Sequence, residues 1–172
     1  MRNDREASFE SIEEAPANAK SLSAQKIRRK PASKRAAVNE FQARMLVLLI
    51  DALDTAALGH FGVQGHERLP VERHEEFTAL LEYRLFVEGS YACGFVCTDF
   101  APGGPTVERD VRVEDAVGSW LFFELRHYVH TLLRSERWAD GYSSPIYESL
   151  VQGVLQAISR RLANDDTLYE PL

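Results

Sequence analysis

Between Ser119 and Leu162 the apolar residues fall into two helical stripes separated by a short polar stretch. Leu121, Leu125, Tyr128, Val129, Leu132 and Leu133 recur at spacings of three and four, which gathers them on one broad face that must be buried. Ile146, Leu150, Val154, Ile158 and Leu162 then repeat at strict four-residue spacing, widened by Tyr147, Val151 and Leu155. Pro145 suits the first helical position behind Ser144 as N-cap, and Asn164 suits the stop. Gly141 offers the positive-φ residue that ends the first helix. The pair reads as a helical hairpin, with Trp138 placed to cover its open end. Gly153 reads as a close helix crossing, at a cost of about 1 kcal/mol against alanine.

Upstream, Val38, Phe41, Met45, Leu48, Leu49, Ala52, Leu53 and Ala56 predict a long helix from about Ser33 that Gly59 ends. The unbroken apolar run from Met45 to Ile50 predicts that its central turns face protein on nearly all sides. His60 to His66 reads as a glycine-punctuated loop or short extended piece. Pro70 opens a further helix, with Glu72, Glu75 and Glu76 in the early turns where the helix dipole favours them. Its apolar positions are Phe77, Leu80, Leu81, Tyr83, Phe86, Val87 and Tyr91. Two ends are open to it: Gly89-Ser90, which leaves Tyr91 to Thr98 as a strand, or a cap at Gly94. Ala101 to Pro105 is turn chemistry, and Val107, Val111 and Val113 among charged residues suit a short strand. The expected architecture is mainly α. It has one domain over residues 33–164, with four principal helices including the C-terminal hairpin and at most a short extended segment or small hairpin. A basic, polar tail over 1–32 precedes the domain, and a short tail over 165–172 follows it.

The bulk properties add a charge asymmetry. The chain has 172 residues and 45% apolar content, enough for one sizeable core. Its net charge of −6 hides a tail of nine Arg/Lys against five Asp/Glu over residues 1–35, so residues 36–172 carry −10. The first 30 residues have few large apolar groups to offset the entropy of ordering, which predicts disorder in isolation. Two cysteines and the lack of an 18-residue apolar run predict a reducing, cytoplasmic setting with no membrane contact.

Candidate chemistry is sparse. Lys26, Arg28, Arg29, Lys30, Lys34 and Arg35 form a basic cluster able to meet nucleic acid or another acidic surface through counterion release; its plainer reading is a solvated tail. His127 and His130 share a helix face, but spacing supplies no third metal ligand. Cys93 and Cys97, in an extended segment, would lie roughly 13 Å apart at about 3.3 Å per residue, which suits core thiols better than a metal knuckle. No metal or cofactor is implied. Arg134 and Arg137, beside Trp138 and Asp140, are three apart at a helix end and can clasp one carboxylate or phosphate. The structural alternative has them capping the last carbonyls and pairing with Glu124, Glu136 or Asp140, with Arg137 as the structural member and Arg134 as the contact residue. Arg160-Arg161 reads as a dipole-compensating pair at the end of the last helix.

The run Arg134-x-x-Arg137-Trp138-x-x-Gly141, followed by Gly153-x-Leu155-x-x-Ile158-x-x-Arg161-Leu162, resembles the C-terminal signature of a small family of bacterial and phage proteins, a domain of unknown function. Phe86-Val87, Tyr91 and Gly94-Phe95-Val96 are similar to that family's other marked segment, and the resemblance covers roughly Phe77 to Leu162. It favours Gly94 as the end of the preceding helix and implies no activity. The functional expectation is a small non-enzymatic interaction module that binds a protein partner or macromolecular complex, as a bacterial or phage accessory protein does. The alternatives are an acidic inhibitor or nucleic-acid mimic directed at a nucleic-acid-processing enzyme, and an enzyme or ligand-binding domain using the Arg134/Arg137 end.

Overall fold

Ala43, Leu46, Ile50, Leu53 and Ala57 are spaced three and four apart and are buried along the inner face of a helix, α1 (Lys34–Phe61), in the computed structural model. The structure describes residues 34–62, 70–96, 103–139, 143–165 and 168, all within the compact unit Pro31–Leu172. Gly59 lies inside α1, and Gly62, at φ 58°, is the residue that follows its end. The helix is not covered on all sides, because Phe41 and Leu48 on its outer flank are 59% and 64% exposed.

The single helix expected after Pro70 is two, α2 (Val71–Ala79) and α3 (Leu81–Ala92), parted by an extended Leu80 at ψ 137°. Helix geometry explains the break. Phe77 and Phe86 are nine residues apart, so in one continuous helix they would point about 180° away from each other. The turn at Leu80 lets both rings be fully buried. Helix α3 then runs through Gly89 and ends ahead of Gly94, which has φ 71°. Gly89 lies against α1, where a Cβ would stand 2.9 Å from Leu49 Cδ1.

Val113 opens a short helix, α4 (Val113–Ser119), where alternation suggested a strand; there is no strand among the described residues. Glu114 and Asp115 in its first turn suit a helix start, and Val117 alone of its side chains is buried. Helix α5 (Phe122–Arg137) begins after Leu121, whose N–H donates to Glu124 Oε2 at 2.7 Å.

The second hairpin helix is likewise divided, into α6 (Pro145–Val151) and α7 (Val154–Asn164). Ser144 is the N-cap, its Oγ accepting from Tyr147 N at 3.2 Å. Apolar residues every four positions drift by about 40° per step on a helix of 3.6 residues per turn, so five in a row cannot share one face. Gly153, at φ 78°, resets the register, and Ile146, Leu150, Val154, Ile158 and Leu162 are all buried. A Cβ on Gly153 would meet nothing within 4 Å, so this glycine makes a left-handed link and not a close crossing. Gly153→Ala is therefore expected to lower stability by about 1–2 kcal/mol in urea titration. In an unbroken helix the same change would stabilise by about 1 kcal/mol.

Helix α7 packs against α1 and α4, and α3 packs on α1. Two α1 carboxylates reach α7: Asp51 accepts from Ser159 Oγ at 2.7 Å and Asp54 from Gln156 Nε2 at 2.6 Å. The domain is mainly α, and no helix among the described residues is long and apolar enough to cross a membrane.

Candidate functional site

The last turn of α5 divides its side chains between the interior and solvent. One helical residue turns about 100°, so Glu136 points roughly opposite Arg134, while Arg137 and Trp138 lie within about 60° of Arg134 on either side. Glu136 faces inward, with its side chain 5% exposed. Its carboxylate accepts from Ser144 Oγ at 2.8 Å, from Ile146 N at 2.9 Å and from the Tyr83 hydroxyl at 3.2 Å. His74 Nε2 stands 3.9 Å away. One carboxylate from the end of α5 thus caps the start of α6 and ties in α3, with His74 of α2 nearby.

The electrostatics follow from that position. Burial pushes the Glu136 carboxyl above the usual range, and the hydrogen bonds from Ile146, Ser144 and Tyr83, with the nearby His74, pull it partly back. Burial first, then the adjacent Glu136 charge and hydrogen bond, hold the Tyr83 hydroxyl in its protonated form far into the alkaline range. The Tyr128 hydroxyl, paired with Ser149 Oγ at 2.9 Å, is also raised by burial, with that bond acting the other way. His130 is shifted down by burial and, after that, by its electrostatic interaction with Arg134 and His127.

Arg134, Arg137 and Trp138 face solvent, and Trp138 is 72% exposed. Trp138 does not cover the hairpin. Tyr147 fills that end, its ring edge-on to Phe61 and Phe77 at centroid distances of 6.0 and 5.3 Å. Among the described residues neither Arg134 nor Arg137 has a hydrogen-bond or ion-pair partner. The structural role expected for Arg137 thus finds no partner among the described residues. Of its proposed acids, Glu136 is turned inward and Glu124 is engaged at the opposite end of α5. Asp140 and Gly141 lie outside the described residues.

The other candidates are scattered. His127 is buried, and the described residues gather no group of three metal-ligating side chains. Cys93 is half-buried with Sγ donating to Ser90 O at 3.7 Å, while Cys97 lies outside the described residues. Arg161 pairs locally with Asp165 at 3.5 Å, whereas Arg160 reaches Glu114 of α4 at 3.4 Å and so links two helices. Lys26, Arg28, Arg29 and Lys30 lie outside the described residues; Lys34 and Arg35 are in the first turn of α1.

Two residues escaped sequence reasoning. Glu136 is the hairpin clamp, and the signal for it is an acid close before an N-cap serine across a turn. Arg126 closes the end of α3, donating through Nε to Phe95 O at 2.8 Å and through Nη2 to Gly94 O at 3.1 Å, and no local pattern announces it. The chain matches no family model, no curated protein and no solved structure.

Proposed function

We propose that this protein is a small non-enzymatic interaction module and that the exposed end of α5 is where it grips a macromolecular partner. The observation that carries the reading is an exposed Trp138 beside two guanidinium groups, unpaired among the described residues, on a helix end that Glu136 pins in place. Trp and Arg are among the residues most enriched at binding hot spots. An anchored helix end presents them with little ordering left to lose on association. Two guanidinium groups on adjacent positions of one face suit a carboxylate-bearing protein surface, with the indole covering the apolar ground beside it.

Comparative capture from cell extract tests the proposal, using the parent chain, the double variant Arg134→Ala/Arg137→Ala and, as a control, Arg44→Ala on α1. A protein held by the parent and the control but lost by the double variant, with melting unchanged, supports it. Identical capture by all three contradicts it.

A further inference from the structure

Helix α1 is apolar nearly all round in its central turns, the pattern of a helix with protein on every side, yet one flank of it is open to solvent. The open flank continues onto α3. Leu49 of α1 meets Gly89 of α3, and Gln42 lies against Gly94, so the two helices run antiparallel in close contact. On each helix that contact separates the buried residues from the exposed apolar ones. Moving around α1 from Ile50 past Leu49 leads to Phe41 and Leu48; moving around α3 from Phe86 past Gly89 leads to Leu85 and Leu81. Both exposed sets therefore lie on the same outer side of the helix pair, and they form one face. Phe41, Leu48, Leu81 and Leu85 are 59%, 64%, 64% and 47% exposed.

We infer that this α1/α3 face is the interface of a symmetric homodimer, covered by the same face of a second copy of the chain. Charge selects that occupant. Residues 36–172 carry −10, so two copies repel over most of their surfaces. The charges bordering this face, Glu40, Arg44, Asp51, Arg84 and Glu88, are of mixed sign and sum to −1, so here a like-charged copy approaches with little net repulsion. Area is consistent with it. With Val38 and the exposed Ala92 the face offers on the order of 500 Å² of apolar surface per copy, from ordinary side-chain areas, in the upper part of the roughly 300–600 Å² range of a monomer's largest patch. Two such faces together reach the roughly 1,000 Å² at which specific interfaces begin. A two-fold axis lets one patch complete itself, with α1 and α3 of each copy forming a four-helix layer. This surface is separate from the Arg134/Trp138 end, and the two readings stand or fall independently.

Sedimentation velocity of the full chain over a concentration series to about 100 µM, where an interface of micromolar strength is saturated, tests the inference. The expected result is a species of twice the 19.4 kDa chain mass and a melting temperature that rises with concentration. Leu48→Glu and Leu85→Glu, on the two helices, should each weaken dimerisation by about thirtyfold or more while the helical circular dichroism persists. Leu58→Glu, an exposed change about 15 Å further along α1 than Leu48, should leave the dimer intact. A monomeric parent overturns the inference, as does a dimer that both variants leave unaltered. A monomeric parent whose Leu48→Glu variant melts lower assigns the face to another segment of the same chain, and this too overturns it.

Discussion

Ile158→Ala is expected to lower the unfolding free energy by about 4 kcal/mol, within the range for removing a fully buried isoleucine from a core that collapses only partly. Ile158 has no solvent exposure, and its neighbours Val154, Leu155 and Leu162 on α7 are buried with it. Urea titration with an unchanged slope would report the loss as stability alone. A variant matching the parent would mean that α7 does not sit in the core against α1. Leu132→Ala on α5, also buried, supplies an independent check on the other half of the hairpin.

The apolar stripes alone make this core legible. Period marks Leu125, Leu132, Val154 and Ile158 as interior positions, and all four are buried. Where the sequence misled, the cause was a break that local pattern does not announce. Leu80 looks like one more apolar helical position, and only the burial of Phe77 and Phe86 on what would be opposite faces requires the extended link there. Gly153 carries a signal with two meanings, a close crossing or a left-handed link, and the open space around it decides for the second. The alternation that suggested a strand falls mostly ahead of α4, since Val107 and Val111 precede it and Val113 alone belongs to it.

At the candidate site the sequence located the turn of helix but reversed the roles within it. Arginines near a helix end read as the natural clamps because their charge suits the dipole and acids lie nearby. Which residue turns inward depends on where the hairpin partner returns, and that is a long-range fact. Glu136 sits on the side facing Ser144 and Ile146, so the carboxylate does the clamping and the guanidinium groups are left outside.

Glu136→Ala is expected to destabilise the protein by about 3 kcal/mol. It strips the acceptor from a buried serine hydroxyl and from a helix N-terminal amide, and orphaned buried donors cost about 1–3 kcal/mol each. The Tyr83 hydroxyl loses its acceptor as well. Removing the carboxylate also relieves the penalty of burying its charge, which keeps the figure below the plain sum. Thermal melts at neutral pH read the effect, and Ser144→Ala should reproduce only part of it, since Ile146 N keeps its acceptor. Equal losses in the two variants would place the clamp in the N-cap serine and not in the carboxylate.

The division of the α5 end into an inward clamp and an outward, solvent-facing side is tested most directly by equilibrium denaturation of Glu136→Ala beside the triple variant Arg134→Ala/Arg137→Ala/Trp138→Ala. The predicted result is a loss of about 3 kcal/mol for the single change and less than about 0.5 kcal/mol per site for the surface changes. A triple variant that unfolds as readily as Glu136→Ala, or a Glu136→Ala variant as stable as the parent, would contradict it.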